Sequence, residues 1–160
     1  MKSTFKSRTS WREKLEKPQE PKLVKVPAKM SQFGKGMMLI PTPSLVNELI
    51  RKVPKGKLTT VGTLREKLAR DHNADVTCPL TTGIFVRIVA EAAEEDRVRQ
   101  AKRITPYWRV VRDDGGLNPK FPGGVSRQTR FLRAEGFAIV RNGKKPPAVK
   151  EFERRLFSFD

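Results

Sequence analysis

Three stretches of helical period, set close together and separated by short breaks, confine this chain to a fold built on packed helices. Leu45, Val46, Leu49, Ile50 and Val53 recur at helical spacing behind the start signal Thr42-Pro43-Ser44, and Pro54-Lys55-Gly56 ends the run. Val61, Leu64 and Leu68 then share one face after a Thr59-Thr60 cap, with Arg65, Lys67 and Arg70 off it. A polar loop, Asp71 to Pro79, leads to a longer helix entered through Thr81 and Thr82. On that helix Ile84, Phe85, Ile88, Val89 and Ala92 fall in one broad arc, while Gly83, Arg87, Ala90 and Glu94 cluster on the opposite side. Helix, loop, helix is the skeleton of a helix-turn-helix. Arg87 is thereby expected to project outward between two very small neighbours. Glycine and alanine let a helix backbone lie near a groove of duplex DNA while one long cation reaches in; a solvated arginine on a surface helix is the alternative for this feature taken alone.

Beyond Pro106, Tyr107-Trp108-Arg109-Val110-Val111 has strand propensity, and Asp113-Asp114-Gly115-Gly116 is a tight-turn signal before Leu117, so a small hairpin, or wing, is predicted there. Pro119, Pro122, Gly123 and Gly124 make a constrained loop before a short helix carrying Arg127, Arg130 and Arg133 three residues apart as a basic stripe. Phe137 to Val140 reads as a strand, Asn142-Gly143 as a turn, and Glu151 to Phe159 as a last helix or strand that packs Phe152, Leu156 and Phe157 on the core. The expected fold is mainly α with a small β wing. The 160 residues divide into a basic, largely extended arm over 1–38, in which Trp11 and Phe33 are candidates to dock on the domain, the domain itself over 39–140, and an extension over 141–160.

Charge narrows the partner. Lysine and arginine number 34 against 17 aspartates and glutamates, a formal charge of +17, which points to a polyanion and first to nucleic acid. No apolar run approaches the roughly 18 residues of a spanning helix, and the opening Met1-Lys2-Ser3-Thr4-Phe5-Lys6 lacks the apolar stretch of a signal peptide, so no membrane partner is expected. Cys78 is the only cysteine and His72 the only histidine, which argues against a disulfide, a metal site or any cofactor and for a cytoplasmic protein, nucleoid-associated if bacterial. Cys78 reads as a small buried apolar residue.

The order of these features resembles a known family. Val53-Pro54-Lys55-Gly56-Lys57-Leu58-Thr59-Thr60 is similar to the stretch that opens the DNA-binding domain of the O6-alkylguanine-DNA alkyltransferases. Thr105-Pro106-Tyr107-Trp108-Arg109-Val110-Val111 looks like that family's Pro-Cys-His-Arg-Val segment, and Pro122-Gly123-Gly124 with Leu132-Arg133-Ala134-Glu135-Gly136 like the loop and helix behind it. The resemblance covers roughly Leu39 to Phe137. It implies a winged helix-turn-helix that binds duplex DNA in the minor groove, extrudes an alkylated guanine, and fills the gap with an arginine from the recognition helix, here Arg87.

The same resemblance excludes the family's chemistry. Alkyl transfer needs a thiolate activated by a neighbouring histidine through water and a glutamate, and those two positions read Tyr107 and Trp108. A phenol of pKa about 10 offers little phenolate near neutrality, and Glu135, at the family glutamate's position, is left as a structural acceptor. The alkyltransferase-like branch, which lacks the cysteine and passes the lesion to nucleotide excision repair, is the nearest in logic, although Val61 replaces the tyrosine expected after Thr60. The expectation is a monomeric, non-enzymatic binder of alkylated or distorted duplex DNA, with nucleotide excision repair proteins as further partners. Its DNA contacts are expected from Arg87, Thr81, Thr82, Gly83, Ala90, Lys55, Thr60, Arg109, Arg127 and Arg130, and its lesion pocket from Tyr107, Trp108, Val61, Gly123, Gly124 and Glu135. The alternatives are a sequence-tolerant architectural or regulatory DNA binder, an enzyme of altered chemistry at Tyr107, and an RNA binder.

Overall fold

The computed structural model describes residues 9–160, so the first eight residues of the expected arm lie outside the described residues. The central helices form where the sequence signals place them. Helix α2 is Pro43–Arg51: the Thr42 hydroxyl accepts from Leu45 N–H at 3.2 Å, and Pro43 occupies the first turn, where a missing N–H has no intrahelical partner to lose. Helix α3, Val61–Asp71, opens the same way, with Thr60 Oγ1 accepting from Thr63 N–H at 3.1 Å. Helix α4 runs Pro79–Val98 and begins two residues before the expected Thr81, because Pro79 takes the first-turn position rather than closing the loop. The Thr82 hydroxyl, instead of facing out, donates to Cys78 O at 2.7 Å.

The segment expected as an extended arm is largely folded over its described residues. Helix α1 is Trp11–Glu16, strand β1 is Lys22–Lys25, a 3-10 turn spans Ala28–Phe33, and strand β2 is Met37–Ile40. β2 is central in a three-stranded sheet, antiparallel to β1 with Lys22 opposite Ile40, and parallel to β4, Val76–Thr77, with Met38 opposite Val76. Leu15 and Leu39 enter the main core with Val46, Ile50, Leu64, Leu68, Val86 and Val89. Those two buried leucines supply what a purely polar arm would lack, apolar surface to offset the entropy of ordering the chain.

The predicted wing is not a hairpin of its own. Tyr107–Arg109 is a 3-10 turn, and the following β5, Val110–Val111, pairs in parallel with β3, Thr59–Thr60, rather than with the chain beyond the turn. The Asp113-Asp114-Gly115-Gly116 turn does form, closed by Gly115 N–H donating to Arg112 O at 2.8 Å. Its far side bridges Ala148, and Leu117 N–H donates to Pro147 O at 2.8 Å. The partner is therefore the C-terminal hairpin, β6 (Ile139–Asn142) and β7 (Lys145–Val149), joined at Asn142-Gly143. With three small sheets in place the architecture is mixed helix and sheet rather than mainly α.

Helix α5, Gly124–Ala134, closes a second core of Leu58, Val111, Leu117, Leu132, Phe137 and Val149. Phe152 and Leu156 of the extension pack against it, and Leu156 bridges Leu58 in parallel. Between the two cores lies one buried amide. Gln128 accepts from Asn118 N–H at 2.9 Å and donates to Trp108 O at 3.2 Å and Val110 O at 3.0 Å. Replacing it by leucine leaves buried backbone groups without partners, at about 1–3 kcal/mol each where water cannot reach. Urea unfolding of Gln128→Leu should show a loss of at least about 1 kcal/mol, and unchanged stability would contradict this role.

Candidate nucleic-acid interface

Two buried carboxylates organise the region that the sequence marks as the site. Glu94, on α4, accepts from Tyr107 Oη at 2.7 Å, from Arg97 Nε at 2.9 Å, and from Arg127 Nη1 at 3.0 Å. Burial pushes the Glu94 carboxyl up, but the hydrogen bonds from Arg97 and Tyr107 and the two arginine charges outweigh it, and its pKa falls below the ordinary value. Tyr107 has no solvent exposure. Its ring meets Trp108 and Phe121 edge to face, each at 5.4 Å between centroids. Burial first, then the hydrogen bond to Glu94 and that carboxylate's charge, raise the phenol far above its usual range.

Glu135 plays the matching part at the end of α5. Arg109 donates to it through Nε at 3.0 Å and Nη2 at 2.8 Å, Trp108 Nε1 donates at 2.8 Å, and Gly56 N–H at 3.1 Å. The sequence-based expectation of a structural acceptor at Glu135 matches this geometry. Arg109 also donates to Val53 O at 2.7 Å, which ties the segment after α2 to the 107–109 turn. Burial raises the Glu135 carboxyl, and the bonds from Arg109, Trp108 and Gly56 bring it below the ordinary value.

These contacts reassign several expected site residues. Arg109, with little exposure, is held in an ion pair with Glu135, and Arg127, a third exposed, in one with Glu94. Thr60 is buried with its hydroxyl spent on the α3 cap, and Thr82 is buried with its hydroxyl bonded to Cys78. Thr81 is half-buried one turn into α4, and Val61 packs half-buried against the main core. Tyr107 is a core residue rather than a pocket wall. Trp108 is half-buried between the two cores. Gly123 and Gly124 both take positive φ, 78° and 65°, as the entry to α5 demands, and so serve the backbone turn. Lys55 and Arg130 are exposed.

The outward face of α4 also differs from the helical-period reading. Ala90 and Glu94 were expected outside and are buried, Ala90 in the main core and Glu94 among Tyr107, Arg97 and Arg127. The N-terminal half of α4 is more open. Leu80 and Ile84 are exposed there at 62% and 58%, and a side chain on Gly83 would meet nothing within 4 Å. Arg87 stands on this face as expected, with half its side chain exposed and only a loose pairing to Glu91 at 3.6 Å.

A cavity of about 540 Å³ opens along this stretch of α4. Gly83, Ile84 and Arg87 of α4 line it together with Trp11 and Lys14 of α1 and with Arg112, Asn118 and Lys120. Four of its lining residues are cationic and none is acidic among the described residues. Sequence reasoning missed Lys14, Arg112 and Lys120, which no local pattern marks, and left Trp11 as a docking residue of an arm. A signal for α1 existed: Ser10-Trp11-Arg12-Glu13 is a capping box, and both reciprocal bonds form. No cluster of three or more metal-ligating side chains occurs among the described residues, and no described helix is long and apolar enough to cross a membrane.

The family model described as 6-O-methylguanine DNA methyltransferase, DNA binding domain, matches residues 42–137. The chain belongs to that family. The matched region runs from the cap of α2 to Phe137 of the second core, just before β6, and contains both carboxylates. α1, β1 and β2 stand outside it, as does the C-terminal hairpin. Among solved structures, S. pombe Atl1 in complex with damaged DNA containing O6-carboxymethylguanine shares the fold at 17% identity, with a TM-score of 0.50 over 72% of this chain and 94% of that one. S. pombe ATL in complex with DNA is similar at 17% identity and a TM-score of 0.48, over the same shares. No curated protein matches the chain.

Tyr107 is thus a sealed phenol, and Trp108 an indole whose N–H is bound to Glu135. The chain has one tyrosine, so the phenol can be followed alone. A free tyrosine ionises near pH 10. Because the folded pKa of Tyr107 is raised, its contribution to stability is present below about pH 10 and is lost as pH rises. Phenolate absorbance at 295 nm should therefore appear only with alkaline unfolding followed by circular dichroism. Ionisation near pH 10 in the folded protein would contradict the sealed geometry.

Proposed function

We propose that this protein is a non-enzymatic DNA-binding protein that recognises alkylated, as O6-alkylguanine, or distorted duplex DNA, with α3 and α4 acting as a helix-turn-helix and α4 as the recognition helix. The observation that carries the reading is the N-terminal half of α4: an exposed Arg87 beside an unobstructed Gly83, in a cavity lined by four cations and, among the described residues, no acid. A duplex presents phosphates to such a rim, and a backbone that nothing crowds can approach a groove closely. S. pombe Atl1, which shares the fold, has been solved with damaged DNA containing O6-carboxymethylguanine, and this supports a lesion as the ligand.

In this reading Arg87 enters the base stack and the cavity receives the extruded base, while Lys55 and Arg130, exposed and outside the two carboxylate clusters, hold flanking phosphates. No alkyl group is transferred. The phenol of Tyr107 is neutral and enclosed, and Cys78 is buried behind the start of α4. The protein acts as a monomer in the cytoplasm and leaves removal of the lesion to nucleotide excision repair proteins.

The test is the affinity for matched duplexes with and without one O6-methylguanine at near-physiological salt, for the wild type and Arg87→Ala. The modified duplex should bind at least about tenfold more tightly, a difference of about 1.4 kcal/mol, and the variant should lose that preference. Affinity for the plain duplex should fall steeply with salt. Equal binding of both duplexes would leave a sequence-tolerant architectural binder on the same scaffold.

A further inference from the structure

We infer that Trp11, supplied by the N-terminal helix outside the family-matched region, is the stacking wall on which an unpaired base rests. The inference builds on the proposed reading of the α4 cavity and adds the residue that recognises the base. The resemblance points to Tyr107 and Trp108 for this role, but Tyr107 is enclosed and Trp108 is held against Glu135 between the two cores. Trp11 is the aromatic side chain that lines the cavity.

Its position is fixed by α4 itself. Glu95 Oε2 and Oε1 accept from the Trp11 and Arg12 N–H groups at 3.1 and 2.9 Å, Arg12 Nη1 pairs with Asp96 Oδ2 at 3.3 Å, and Leu15 is buried in the main core. α1 is thus anchored to the buried half of α4 while its tryptophan leans over the open half. An aromatic wall held in place before the ligand arrives loses little conformational freedom on binding.

The ring is occupied by cations in the unbound protein. Lys14 Nζ lies 4.2 Å from its centroid and Arg87 Cζ 5.7 Å. A cation over an indole face marks a surface that attracts polarisable, flat groups, and every nucleobase offers such a face. When Arg87 moves into the duplex to fill the vacated stack, it withdraws one of the two cations from the Trp11 ring, and the displaced base takes the ring as Lys14 turns to a phosphate. The same movement that opens the stack therefore prepares the wall. At about 540 Å³ the cavity falls in the range of roughly 300–1,000 Å³ typical of ligand sites, and its cationic rim fits the phosphates on either side of an extruded nucleotide.

The chain has two tryptophans, so subtracting the emission of Trp11→Phe from that of the wild type isolates Trp11. Two short duplexes serve as probes, one fully paired and one with a single unpaired guanine, with binding followed independently by anisotropy of a label on the DNA. Trp11 emission should be quenched by the duplex with the unpaired guanine and little changed by the paired one. Trp11→Ala should lose about tenfold of the discrimination between the two, with affinity for the paired duplex within about twofold of wild type, and Trp11→Phe should keep most of it. Unchanged Trp11 emission at saturation would overturn the inference. So would a Trp11→Ala variant that still discriminates, or one that loses affinity for both duplexes equally. Failure of the two ideas is separable: if O6-methylguanine gives no preference while the unpaired guanine still quenches Trp11, the lesion reading fails and the stacking wall stands. If Trp11→Ala keeps a preference for O6-methylguanine, the wall fails and the lesion reading stands.

Discussion

The carboxylate of Glu94 is the contact on which the arrangement of this region depends. It lies inside the fold and collects the Tyr107 hydroxyl, Arg97 and Arg127, so that α4, the 107–109 turn and α5 meet at one group. A buried charge without partners would be costly, and here each of its partners comes from a different part of the chain or a different turn of the helix. Removing one partner would leave the rest short of compensation. Glu135 repeats the device on the other side of Trp108 by joining Arg109, Trp108 and Gly56. Together they lock the segment that resembles an alkyltransferase active site into a structural role.

This locking decides where binding can occur. The chain carries an excess of positive charge, yet Arg109 is paired one to one with Glu135, and Arg127 and Arg97 share the single charge of Glu94. The cations left around the start of α4 are Lys14, Arg87, Arg112 and Lys120, from three separate stretches of sequence that the fold brings to one rim. Function on this scaffold follows from which charges the interior consumes and which it leaves at the surface. The small-residue opening at Gly83 and the exposed Leu80 and Ile84 fall within that same rim.

The helices were legible in the sequence because their signals are local. Thr42-Pro43 and Thr59-Thr60 cap α2 and α3, and the apolar spacing of Leu45 to Ile50 and of Leu64 to Leu68 locates their buried faces. The Asn142-Gly143 turn was equally local, and the structure confirms it as the hairpin between β6 and β7. What the sequence did not disclose depends on distant partners. Ala90 and Glu94 look outward by helical period and are buried because distant segments, the main core around Ala90 and the Tyr107 turn and Arg127 around Glu94, close over them. Val110 and Val111 have strand propensity, but nothing local shows that Thr59 and Thr60 are their partners, or that the turn at Gly115 would pair with β7. Arg87 was found from spacing and the resemblance, whereas Arg112 and Lys120 carry no pattern. The alternation of Met37 to Ile40 with Lys22 to Lys25 is too short to announce a strand pair.

The most direct measurement of the central claim, that the open half of α4 and its rim form the DNA face, is hydrogen exchange of the protein with and without a saturating short duplex. The account predicts slowed exchange over 79–90, over α1, and over the 112–120 segment, with any slowing in α5 confined to the turn around Arg130 because Arg127 is paired with Glu94. Protection concentrated along the arginine stripe of α5, with α4 unaltered, would contradict it and move the interface to α5.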